Sequence, residues 1–381
     1  MNKQVKPKIA IIGGSYLQLP LIKKCKELGI ETHCFAWLEG AVCKDFADHF
    51  YPISIIQKEQ ILDICRTEAI NGICTIASDV AAPTVAYVAE KLGLNGNSYE
   101  SACNANNKFM MRKLLQQAGI LCPQFFCITN IDQVHGIEWR FPLIVKPTDR
   151  SGSLGVSKVN NKEELILAIE KAINFSFKGE AIVEEFIDGR EISVECISYH
   201  GKHYPLQITD KVTTNAPHFV ELEHHQPAEL SESLYEEIYS ITTRALEALG
   251  LKEGASHSEY KITDKGSIYI MEIGGRMGGD FIGSDLVELS TGYDFLKGVI
   301  EVSLNSFNEP QIHTKKYSGI YFLSKETEEF LPFFKNLISS DVIVEINQTS
   351  TDLKDLTCSA DRSGYIIYQS DKSKWNPRTI L

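Results

Sequence analysis

The sequence predicts a chain of mixed α/β and α+β class, with a parallel α/β domain at the amino terminus and a strand-rich body behind it. Three observations predict this. Apolar strands and amphipathic helices alternate through the first third, the signature of a parallel sheet covered by helices. Short strands separated by glycine loops fill residues 141–206, and a strand pair follows at 255–273. The 381 residues exceed what one ordinary compact core holds.

The first strand is Lys8–Ile12, an apolar run stopped by Gly13-Gly14. Apolar positions 17, 21, 22, 25 and 28 then recur at helical spacing up to Gly29, so Leu17–Leu28 is predicted helical. Strand Glu31–Ala36, helix Lys58–Thr67, strand Gly72–Ile76 and helix Val80–Leu92 continue the alternation, and helix Asn107–Gln117 ends at Gly119. A long amphipathic helix, Ser231–Leu249, precedes the 255–273 strand pair. The tail is expected to form strands at 319–323, 341–346 and 363–368. The expected domains are 1–105, 106–310 with a small lid at about 122–190, and a carboxy-terminal β-rich region at 311–381.

Composition narrows the function. A formal charge of -12 argues against nucleic acid or an anionic membrane surface as a partner, since either needs a basic footprint. No apolar run approaches the ~20 residues of a membrane span, and Ile9–Ile12 is too short for a signal-peptide core. Ten cysteines lie scattered with no Cys-x-x-Cys pair and no His-rich partner segment, which reads as reduced thiols in a cytoplasmic protein. Gly13-Gly14-Ser15 lacks the glycines of a dinucleotide fingerprint and reads as a tight turn lining a substrate cleft.

Two segments point to phosphate chemistry. In 141–156 a strand ends in Lys146, and a loop with small residues at Ser151, Gly152, Ser153 and Gly155 returns into a second strand. Small residues let backbone N–H groups close over phosphate oxygens while a fixed lysine adds point charge. A surface hairpin with a solvated lysine fits the same pattern. In 181–191 an apolar strand runs into Glu184, Glu185, Phe186 and Ile187, with Glu191 beyond. That suits a hinge reading a flat base and an acid on ribose hydroxyls, although an exposed strand end would carry such acids too.

The most informative stretch is 255–273. With Lys265-Gly266 as a two-residue hairpin loop, Asp264 faces Ser267 and Glu259 stands opposite Glu272. Tyr260, Ile262, Tyr269, Met271 and Ile273 then form the apolar core face. Two carboxylates about 5 Å apart repel, and a hard divalent cation between them removes that penalty. Two acids facing water, or a register shifted by one, is the alternative. Arg276 follows within a glycine-rich bend, where Gly275 allows close backbone approach and the guanidinium meets phosphate or a developing oxyanion.

Taken together, these residues resemble the ATP-grasp superfamily over nearly the whole chain, closest to its L-amino-acid ligase and carbamoyl-phosphate-synthase-like branch. The resemblance implies an ATP-grasp fold with a pre-ATP-grasp amino-terminal domain. It implies an ATP-dependent carboxylate–amine ligase working through an acylphosphate on amino-acid-like substrates. ATP would be held by Lys108, Lys146, the loop Ser151, Gly152 and Ser153, the hinge Glu184, Glu185, Phe186 and Ile187, and the ribose acid Glu191. Glu259 and Glu272 would hold magnesium, or manganese. Lys146 and Arg276 are the expected catalytic groups. The acceptor side falls to Asp210, Lys211, His257, Gly275 and Arg276, with a structural histidine as the alternative for His257. Many members carry an asparagine, a third metal ligand, where this chain has Gly274. Homodimers are common among similar enzymes. A purine-pathway ligase, a biotin-carboxylase-like enzyme and a nucleotide-binding regulatory protein share parts of this pattern.

Overall fold

The alternation expected from Lys8 onward is present in the computed structural model, which describes residues 6–152, 154–214 and 218–381. Strands β1 (Lys8–Ile12), β2 (Glu31–Phe35), β3 (His49–Tyr51) and β4 (Gly72–Cys74) form a parallel sheet in the order β3-β2-β1-β4. Helices α1 (Leu19–Glu27), α2 (Lys58–Thr67) and α3 (Ala82–Leu92) connect and cover it. Pro20 opens α1 and Gly93, at φ 66°, closes α3, the asymmetry expected of helix ends. Two short helices follow, α4 (Tyr99–Asn106) and α5 (Lys108–Gln117). Asn107 ends the first and caps the second by accepting from the Met110 N–H.

A second sheet is antiparallel, built from β5 (Phe125–Ile128), β6 (Leu143–Pro147), β7 (Ser157–Val159) and β8 (Ala181–Glu185) in the order β5-β8-β6-β7. Helix α6 (Lys162–Phe175) packs on it through Leu165, Ala168, Ile169 and Ala172. The third sheet has eight strands: β9 (Arg190–Tyr199), β10 (Lys202–Thr213), β11 (Glu221–Gln226), β12 (Gly254–Ile262), β13 (Ile268–Gly274), β14 (Tyr317–Leu323), β15 (Ile343–Gln348) and β16 (Gly364–Ser370). Their order is β13-β12-β9-β10-β11-β14-β16-β15. The three tail strands therefore extend the same sheet that carries Glu259 and Glu272.

Helix α7 (Glu232–Leu249), capped by Ser231 and ended by Gly250 at φ 69°, buries Ile238, Ala245, Leu246 and Leu249 against that sheet. Helices α8 (Val287–Thr291) and α9 (Phe295–Ser303) follow β13. Val299 and Ile300 of α9 share one core with Ile9 and Ile11 of β1, which locks the parallel sheet to the body. No helix among the described residues is long and apolar enough to cross a membrane.

The β12–β13 hairpin departs from expectation near its tip. Thr263, not Asp264, lies opposite Ser267, and its N–H donates to the Ser267 carbonyl at 3.0 Å. The loop is Asp264–Gly266, with Gly266 at φ 80° donating to Thr263. A type I turn ended by a left-handed glycine closes this way, and it shifts the ladder by one. Met271 is then the extra residue of a bulge, which restores the pairing of Glu259 with Glu272. The slip also changes the core face. Ile268 and Ile270 join Tyr260 and Ile273 inside, while Tyr269, Met271 and Ile262 are only half-buried.

Candidate active site

Glu259 and Glu272 open into a cleft of about 510 Å³ between the second and third sheets. Lys108 and Lys146 line its other wall, with Ser151 and Gly152 of the glycine loop over it. Neither carboxylate is bare. The ammonium of Lys108 donates to Glu272 at 2.9 Å and to the Arg150 carbonyl at 2.7 Å. Lys211 donates to Glu259 at 2.6 Å, and the His257 Nε2 lies 3.2 Å from the same oxygen. Cations thus offset the repulsion that two facing carboxylates would suffer. Burial lowers the Lys211 ammonium, but the carboxylates of Glu259, Glu221 and Glu191 outweigh it and hold it well above the ordinary lysine value.

Glu184 is placed by strand alternation. It lies on β8 beside β6, and its side chain turns inward between Arg112 and Lys146, each 2.7 Å away. Burial would raise this carboxyl; Arg112 and Lys146 outweigh it and hold it at about 2. The side chain is 1% exposed, so this is a buried charge network in which each partner depends on the others. Arg112 also donates to the Met271 carbonyl at 2.5 Å, tying the lysine wall to the hairpin bulge. Lys146 is itself pushed down, chiefly by burial.

His257 occupies a second buried chain. Its Nδ1 contacts Glu195, whose other oxygen accepts from the Gly278 N–H at 2.9 Å. Burial depresses the imidazole, yet Glu195 outweighs burial and raises it to about 9, so it is an imidazolium at neutral pH. Arg276 reaches the cleft clamped on Asp79, with Nε and Nη2 donating at 2.8 and 2.7 Å. Beyond them a second cavity of about 620 Å³ shares Tyr16, Ser359 and Ala360 with the cleft. Arg362 stands in it, paired with Asp280 at 2.8 Å and stacked over Phe322.

The sequence profile of the ATP-grasp domain matches residues 139–285. D-alanine–D-alanine ligase of Flavobacterium johnsoniae is 31% identical over 285 residues, covering 70% of this chain and 84% of that protein. The chain belongs to the ATP-grasp family. Alanine–anticapsin ligase of Bacillus subtilis is 28% identical over 245 residues, 58% of this chain and 51% of that protein, so the chain spans about half of that relative. The L-amino acid ligase of Bacillus licheniformis shares the fold, with a TM-score of 0.79, 23% identity and coverage of 97% of this chain and 95% of that one.

Within this ATP-grasp chain the sequence-predicted residues do not all converge. Lys108, Lys146, Lys211, Ser151, Gly152, His257, Glu259, Glu272 and Arg276 line the cleft. Ser153 lies outside the described residues. Asp210 does not join them: alternation along β10 turns Lys211 to the cleft and Asp210 to the opposite face, where Arg190 binds it at 2.5 Å and the Glu229 N–H donates to it. Gly275 is also displaced, packing beside Leu251 and lining a separate small cavity. Glu191 is not among the cleft-lining residues and pairs with Lys261 at 3.0 Å. Glu185 is exposed, its N–H donating to the Gln124 carbonyl. Phe186 lies under the Lys158 ammonium at 3.6 Å, and the Ile187 N–H makes no hydrogen bond among the described residues.

Gly274 has a steric reason. A Cβ there would stand 2.6 Å from the Asp79 carboxylate and 3.2 Å from the Arg276 guanidinium. The space of a side chain is filled by that ion pair. Asp79, Glu195 and Asp280 are the acidic site residues that sequence reasoning missed. Asp280 and Phe281 adopt φ of 52° and 63°, uncommon for residues with a Cβ and visible only in the structure. Arg112 and Arg362 gave no signal of a role, because their partners Glu184 and Asp280 lie 72 and 82 residues away in the chain.

Proposed function

We propose that this enzyme joins a carboxylate to an amine at the expense of ATP, through an acylphosphate, with amino-acid-like molecules as substrates. The observation that carries the proposal is the pair Glu259 and Glu272, facing one another across from Lys108 and Lys146 in a cleft continuous with a second cavity.

Each residue has a task in that reaction. Lys146 and Lys108 hold the nucleotide phosphates, with the backbone of residues 151–152 closing over them. Phe186 and the free Ile187 N–H receive the base, and Glu191 the ribose. Two carboxylates with hard oxygen donors suit magnesium, which usually keeps one or two carboxylates and fills its shell with water and phosphate. Bound there, it would neutralise charge on the transferring phosphoryl group. Lys108 and Lys211, which pair with Glu272 and Glu259, would then be free to meet phosphate oxygens.

The substrate carboxylate oxygen attacks the γ-phosphorus, and the bond to ADP breaks. The amine nitrogen then attacks the acyl carbon, phosphate departs with the bonding electrons, and the amine loses a proton. The chain positions reactants and meets developing negative charge, chiefly with Arg276, and supplies no nucleophile of its own. At the acceptor end Arg276 and Arg362 are each neutralised by an aspartate. Such pairs suit a zwitterion better than a ribose phosphate. The ten free cysteines fit work in the reducing cytoplasm.

The test is release of ADP and phosphate over paired amino acids, and over phosphoribosylamine with glycine, with products identified by mass. An amino-acid pair should yield ADP, phosphate and a product lighter than the summed substrates by one water. ADP release only with phosphoribosylamine would move the enzyme to the purine ligases. Nucleotide binding with no ADP across the panel would make it a regulatory protein.

A further inference from the structure

At the outer edge of the parallel sheet lies a cluster that the ligation does not use. Glu31 and His33 are two apart on β2, so both side chains leave the same face. His49 on β3 is the register partner of His33, and their rings stack at 4.5 Å between centroids. The Nε2 atoms of His33 and His49 lie 3.2 and 3.3 Å from one oxygen, Oε1 of Glu31. Among the described residues this is the one place where three such ligand atoms gather within 4.8 Å.

We propose that Glu31, His33 and His49 bind a divalent transition metal of the zinc class, separate from the ATP cleft. The spacing supports this. Ligands about 2.0 Å from zinc at the corners of a tetrahedron stand about 3.3 Å apart. Both nitrogen–oxygen separations already have that value, and the three ligand atoms lie within 4.8 Å of one another. The donor set of two imidazoles and one carboxylate is a zinc set.

The surroundings also suit a ligand. The Tyr51 hydroxyl lies 3.1 Å from the His33 Nδ1 and fixes the ring so that Nε2 faces the carboxylate. That is the outer-shell support metal-bound histidines usually have. His33 is fully buried while the His49 side chain is 49% exposed, which leaves an approach from solvent and room for water at the fourth position. Lys8 lies 3.6 Å from the same oxygen and equally far from Glu68, which offers its ammonium a second partner. Bound metal would clamp β3, an edge strand of three residues, onto β2.

The experiment uses the full chain, freed of metal by chelator and held in excess magnesium at pH 7.5, with zinc as the probe. Calorimetry should find one zinc per chain, together with a rise in thermal midpoint. His49→Ala, at the exposed corner, should keep the metal-free midpoint and its ADP formation with magnesium while losing at least tenfold in zinc affinity; Glu31→Gln should do the same. Glu272→Gln should retain full zinc binding. Zinc bound equally well by His49→Ala, or bound by wild type but lost in Glu272→Gln, or not bound by wild type at tens of micromolar, would overturn the site.

Discussion

At the phosphate end of the cleft, the carboxylates and one lysine sit on paired strands, Lys146 and Glu184 on β6 and β8, Glu259 and Glu272 on β12 and β13, while Lys108 and Arg112 reach them from α5. At the acceptor end they come from the loops after β1, β4 and β13 and before β16, bringing Tyr16, Asp79, Arg276, Asp280 and Arg362 together. The first end has its carboxylates aligned by ladders, whose register a short segment specifies, before Lys108 and Arg112 pair with them. The second is held by ion pairs between segments up to 197 residues apart, as for Arg276 and Asp79. Substitutions should therefore act differently at the two ends: on folding and nucleotide chemistry at one, on substrate choice at the other.

The largest effect is expected at Glu184. Glu184→Ala leaves Arg112 and Lys146 buried without a counter-charge, which costs about 3–5 kcal/mol. Urea denaturation should show it, and ATP binding should be lost as well. A result below 1 kcal/mol would mean that the network is dispensable and the ends are not distinct.

Acid should reveal the same group in the wild type. The Glu184 carboxyl is held at about 2 in the folded chain against an ordinary value of 4.5. Its contribution, on the order of 3 kcal/mol, is fully present above pH 4.5 and is lost as pH falls towards 2. Glu184→Gln should flatten that limb of the stability profile.

Where the two ends meet, Gly274→Asn should cost about 1–3 kcal/mol by forcing a side chain into the Asp79–Arg276 pair. Asp79→Ala should relieve part of that cost, so a double-mutant cycle on thermal or urea stability will show coupling if the steric account holds. The smallest effect falls at the far end. Tyr365→Ala, in the second cavity, should raise the acceptor KM about tenfold, about 1.4 kcal/mol, and leave the KM for ATP unchanged. An equal rise for ATP would place nucleotide in that cavity.

The same contrast decides how much was legible in the sequence. The first strand, α2 and the pairing of Glu259 with Glu272 follow from periodicity and turn chemistry, although the pairing survives through two compensating departures, the glycine turn and the Met271 bulge. Asp210 was misplaced because adjacent strand residues face opposite ways and the segment alone does not say which faces the cleft. Asp79, Glu195 and Asp280 carry no local signal, since an acid in a loop looks like a solvated one until its arginine or histidine arrives from elsewhere. Glu31, His33 and His49 are hidden for the same reason: only parallel pairing of β2 with β3 brings the second histidine beside the first.

The claim on which the rest depends is that Glu259 and Glu272 jointly serve the phosphoryl transfer. ADP release by Glu272→Gln, measured with saturating substrates and magnesium, tests it most directly. The account predicts a fall of about 100-fold or more from a protein that still folds, since Glu272 is partly exposed and Lys108 keeps the Arg150 carbonyl as a partner. ADP release within a few-fold of wild type, from a protein equally well folded, would contradict it.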